Sequence, residues 1–82
     1  MITEDHRNIS CGGDPFNYLR SVLKGLSIQL DQGQDATVLL LKEKFPYDKA
    51  FFESMSGVMK LKLVEMQTDG VEMSLHLIKQ HN

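Results

Sequence analysis

The residue best placed to do chemistry is Cys11, the one cysteine of the chain, in the run Cys11-Gly12-Gly13-Asp14-Pro15. Two glycines interrupt regular structure and permit a positive φ. Asp14 suits a helix N-cap, and Pro15 suits the first helical position, where its missing N–H costs nothing. A thiol just before such a start feels the partial positive charge of the helix N-terminus, which favours the thiolate. An ordinary thiol is only a few per cent ionised at neutral pH, so a modest downward shift multiplies the reactive fraction. Gly12 and Gly13 leave the sulfur unshielded by neighbouring side chains. Asp14 acts the other way, because a nearby negative charge disfavours the thiolate. The spacing thus offers a reactive thiol, against the plainer reading of an inert, partly buried cysteine in a turn.

Other polar residues offer less. His6, His76 and His81 are too scattered for the short ligand spacings of a zinc site, and are expected to be exposed; no metal is expected. His76 is placed on the polar side of a strand, beside Lys62. Glu43, Asp48 and Glu53 read as solvated surface rather than a converging acid–base pair. Lys42 and Lys44, with Lys60 and Lys62, belong to neighbouring strand regions and form a candidate basic patch for docking an acidic partner or a tRNA. These strands lack stacking aromatics and the chain lacks a positive balance, so nucleic-acid binding is not expected. Gly12-Gly13 has no following Lys-Ser/Thr and no long hydrophobic strand before it, which excludes a phosphate-binding loop. Met55, Met59, Met66 and Met73 are expected mainly to fill the core rather than an adaptable surface.

With 82 residues, the chain is expected to form one domain over residues 1–82, of about one sheet and one layer of helices. Hydrophobic residues make up 41% and charged residues 24%, which argues against intrinsic disorder. The longest apolar run, Val38–Leu41, is far short of a membrane span. Met1–Ser10 is polar and has no apolar stretch of a secretory signal. The net charge of −2 gives no general pull toward nucleic acid or anionic lipid. A lone cysteine excludes an internal disulfide framework. Together these features point to a cytoplasmic protein.

The elements that must position the thiol follow from periodicity. A short first strand is expected to include Arg7–Ser10, with Ile9 its one strong apolar residue. After Pro15, Phe16, Leu19, Val22, Leu23, Leu26 and Leu30 recur at the 3.6-residue period of a one-sided helix, with Gly33 a candidate stop. Ala36–Leu41 is short and almost wholly apolar, as suits an inner strand covered by helices. A second helix is expected over about Asp48–Ser56, with Phe51, Phe52 and Met55 inward and Gly57 at its end. Val58–Gln67 and Val71–Lys79 form a hairpin. A three-residue loop, Thr68-Asp69-Gly70, pairs Leu63 with Leu75 and Leu61 with Leu77, whereas a two-residue loop would mix the faces. The order βαβαββ places both helices on one face of a mixed four-stranded sheet, a two-layer α/β sandwich. The opposite face carries Lys60, Lys62, Glu72, Ser74 and His76.

From about Ile9 to Lys79 the chain resembles the TusA/SirA family of small sulfur-carrier proteins. The resemblance rests on Cys11 between first strand and first helix, Pro15 just after it, the apolar strand Ala36–Leu41, the second helix and the hairpin at Thr68-Asp69-Gly70. Cys11-Gly12-Gly13-Asp14-Pro15 stands where the family has Cys-Pro-x-Pro, and Lys42–Pro46 replaces its acidic-acidic-proline turn. The resemblance implies a βαβαββ sandwich. It implies that Cys11 carries a persulfide passed between a donor and an acceptor protein, without metal or organic cofactor. Asp14 and Pro15 would serve as cap and loop. The rival expectation is an interaction or regulatory module of the same fold without chemistry, binding through the open sheet face or hairpin, or by dimerising.

Overall fold

A computed structural model describes residues 2–7 and 14–80. The elements run β1 (Ile2–Asp5), α1 (Pro15–Gln29), β2 (Asp35–Leu41), α2 (Lys49–Val58), β3 (Leu61–Asp69) and β4 (Glu72–Lys79). The strands form one sheet in the order β1-β2-β4-β3. β1 and β2 are parallel, while β4 runs antiparallel to both of its neighbours. This is the expected βαβαββ order on a mixed four-stranded sheet.

Burial shows where the layers meet. Ala36, Val38 and Leu40 of β2 stand opposite Leu77, Leu75 and Met73 of β4, and all six are buried. Leu19, Leu23 and Leu26 of α1 and Phe52 and Met55 of α2 join the same core. Both helices therefore cover one face of the sheet. The other face stays partly open, so β2 alternates buried and half-buried residues. It is an inner strand as expected, but only one of its faces is covered.

The first strand lies earlier than expected. β1 is Ile2–Asp5, Arg7 is in a turn, and residues 8–10 lie outside the described residues. Ile2 packs against the core and the strand lines up from Ile2 opposite Ala36 to Asp5 opposite Leu39. An edge strand with one covered face needs little apolar content, so Ile-Thr-Glu-Asp satisfies it without a visible hydrophobic pattern.

The helices follow their caps. Asp14 is extended and its carboxylate accepts the Phe16 N–H at 2.9 Å, with Pro15 opening the helix. Asp48 accepts the Phe51 N–H at 2.9 Å at the start of α2. α1 stops at Gln29, ahead of Gly33, which takes φ +85° in the turn that follows. Near that end Lys79 donates to the Ser27 carbonyl oxygen and, at 3.0 Å, to its hydroxyl. A cation there satisfies an orphan carbonyl and suits the helix dipole. α2 runs past Gly57 to Val58, and Lys60 reverses the chain with φ +61°. β3 consequently begins at Leu61, not Val58.

The hairpin register differs from both options the alternation offered. Asp69 pairs with Glu72, leaving Gly70 and Val71 as a two-residue loop with Gly70 at φ +62°. A bulge lies between Leu63 and Glu65. It places Leu63 opposite Leu77 and Leu61 opposite Lys79, with Met66 opposite Leu75. The extra residue reverses the inside–outside parity of β3 midway, so a short loop and a buried Leu61 and Leu63 coexist.

Candidate functional site

Cys11, Gly12 and Gly13 lie outside the described residues. On the C-terminal side, α1 starts at Pro15 with no acidic residue in its first turn. The Asp14 carboxylate that caps it is exposed. On the N-terminal side, His6 and Arg7 fasten the exit from β1.

His6 is not the exposed residue the sequence suggested. Its backbone N–H donates to the Leu39 carbonyl at 2.8 Å, and its Nδ1 lies 2.8 Å from the Tyr18 hydroxyl of α1. The rings meet edge-on at 5.6 Å. Nε2 is buried, and the Glu4 carboxylate at 3.8 Å is too far for a hydrogen bond. Arg7 spreads its guanidinium over two strands. Nε and Nη2 donate to Asp5 at 2.9 and 2.8 Å, and Nη1 donates to Glu72 at 2.7 Å. The hydrogen bonds from Arg7 hold the Asp5 carboxyl down at about 2, and the two carboxylates push the guanidinium further up. The described residues on either side of Cys11 are thus a clamped exit from β1 and a capped start of α1.

The lysines are not brought together. Lys42 and Lys44 follow β2 at the end where Leu41 meets Glu72, while Lys60 and Lys62 flank Leu61 at the start of β3, where Leu61 meets Lys79. The eight residues of β4 separate these ends by about 24 Å, at ~3.4 Å per residue. Lys62, Glu72, Ser74 and His76 do share the open sheet face, but Lys60 sits in the α2–β3 turn. His76 faces Glu65 across the strands rather than Lys62. Its Nε2 lies 2.7 Å from Asp35 Oδ2, and that hydrogen bond holds the Asp35 carboxyl below its usual range. Asp48 caps α2, Glu53 lies 3.9 Å from Lys49, and Glu43 is exposed. His81 lies outside the described residues. Among the described residues, no three His, Cys, Asp or Glu side chains gather as metal ligands. No helix among them is long and apolar enough to cross a membrane.

The sequence reading missed an apolar groove on the helical layer. Phe16 of α1 faces Phe51, Met55 and Val58 of α2, with Met59 beyond them and Arg20 alongside, around about 340 Å³ of space. Phe16, assigned to the core by its periodicity, is 40% exposed, and Val58 is 76% exposed. The floor is aromatic: Phe16 meets Phe51 edge-on at 5.9 Å, and Phe51 stacks on Tyr47 at 4.2 Å. The signal was available in the surplus of apolar residues, since Phe16, Val58 and Met59 exceed what two short helices can bury under themselves.

The fold and these surfaces define a small α/β two-layer sandwich. No protein-family model matches the chain, and no curated protein or solved structure does either.

Proposed function

We propose that the protein is a small cytoplasmic sulfur carrier of the TusA/SirA type, with Cys11 as its one reacting group. The observation that supports this most is the start of α1. Four residues after Cys11 a helix begins at Pro15, capped by Asp14 and free of acidic residues in its first turn. A helix end of this kind favours an anionic sulfur nearby. The βαβαββ order is the one the resemblance implies.

In this reading the Cys11 thiolate attacks the outer sulfur of a donor persulfide. The donor's S–S bond breaks, its electron pair leaves with the donor's thiolate, and Cys11 gains the persulfide. An acceptor nucleophile then attacks that outer sulfur, and Cys11 departs as thiolate. The sulfur moves without net oxidation or reduction, so the transfer calls for no redox cofactor. A partner reads the carrier through the surface around Cys11 and the first turn of α1.

The rate of Cys11 alkylation against pH tests the reading. A midpoint well below that of a free thiol is expected; sluggish alkylation with the profile of an ordinary thiol would overturn it. A second reading, an interaction module without sulfur chemistry, draws support from the exposed groove beside Phe16 and predicts the sluggish profile.

A further inference from the structure

We infer that the groove between α1 and α2 is a docking site for an amphipathic helix of a partner protein, its apolar stripe flanked by carboxylates. Three observations carry this, and none depends on the chemistry of Cys11.

The first is the apolar character of the groove. Phe51 and Met55 form its base, and Phe16 and Val58 stand exposed on its two walls. The aromatic contacts to Tyr47, Phe52 and Phe16 hold Phe51 in place. Met55 and Met59 are unbranched and adapt to the shape of an inserted side chain. The space of about 340 Å³ falls in the size range of sites that bind anchoring groups.

The second is the kind of backbone that fits. The groove is walled by helices and offers no sheet edge. An extended peptide lying there would leave its N–H and C=O groups without main-chain partners. A helix brings its backbone hydrogen bonds with it and presents apolar side chains at helical spacing.

The third is charge. Arg20 beside the groove, and Lys24 one turn further along α1, are exposed and make no ion pair among the described residues. The chain as a whole is net negative, so this stripe is a local reversal that calls for carboxylates. A second copy packed two-fold on the same surface would bring basic stripe against basic stripe, which is why a different protein is the occupant.

The test is a selection. The intact protein is immobilised and offered a displayed library of helical peptides of about 16 residues, long enough for marginal helices to form. Val58→Asp and Arg20→Glu serve as paired baits; both positions are exposed, and circular dichroism checks that each variant stays folded. The expected winners carry large apolar residues at helical spacing with Asp or Glu beside them. Their affinity is expected to fall about tenfold or more on either variant, and binding is expected to shift the methyl signals of Met55, Val58 and Met59. Winners that are basic or extended, equal enrichment on the Val58→Asp bait, or shifts confined to the open sheet face would overturn the inference. So would a dimer in sedimentation that Val58→Asp dissociates.

Discussion

The open face of the sheet and the groove on the helical layer lie over opposite sides of one core, and they differ in how their charges are settled. On the sheet face Arg7 is shared by Asp5 and Glu72, His76 meets Asp35, and Gln67 donates to Glu65 at 2.7 Å. That surface answers most of its own polar groups and has little left to offer. Beside the groove Arg20 and Lys24 make no ion pair among the described residues, and Phe16 and Val58 stand exposed. Exposure alone does not mark an interaction surface; unsatisfied exposure does.

The largest expected effect comes from the side chains beneath. Leu23 is fully buried under α1, whereas Leu39 is half-buried on the open face. Leu23→Ala should cost about 2–5 kcal/mol, and Leu39→Ala less than about 2 kcal/mol. Chemical denaturation reads both. Equal losses would mean that the sheet face is covered after all. The hairpin comes next: Gly70 holds φ +62°, so Gly70→Val should cost about 1–2 kcal/mol. A neutral result would contradict the two-residue loop. Removing the Asp48 cap of α2, which supports the groove wall, should cost about 1 kcal/mol in the Asp48→Ala variant.

The groove itself should be nearly silent for stability. Val58→Asp should change unfolding free energy by less than about 1 kcal/mol while weakening helix binding about tenfold or more. A large loss of stability would turn the groove from a binding surface into part of the core. The smallest effect belongs to the clamp on the sheet face. The Asp5 carboxyl is depressed from 3.8 to about 2 by Arg7, so its contribution is complete above the ordinary carboxyl range and fades as pH falls toward 2. NMR titration should show Asp5 ionising low in the wild type and returning toward its usual range in Arg7→Gln. An unchanged titration would break the assignment of the clamp.

Much of the fold was legible in the sequence, where periodicity and capping agreed. Asp14-Pro15 and Asp48 mark real helix starts, and Leu19, Leu23 and Leu26 face the core as their spacing requires. What escaped notice was decided by tertiary context. Ile2–Asp5 is a strand because β2 offers it an edge, not because its residues alternate. The bulge at Val64 resolves a conflict between loop length and parity that a single strand's pattern cannot express. The lysine pairs belong to neighbouring strand regions in sequence, but in the sheet β4 lies between β2 and β3. Phe16 follows the helical stripe faithfully, yet stands in the first turn of α1, where it stays 40% exposed beside Phe51.

The central claim is that Cys11 carries sulfane sulfur, and loading followed by discharge tests it most directly. The protein is incubated with a persulfide donor, its intact mass is read, and an acceptor thiol is then added. The account expects the wild type to gain the mass of one sulfur atom and lose it to the acceptor, while Cys11→Ser gains none. Equal loading of the two proteins, or a wild type that never takes up sulfur, would contradict it.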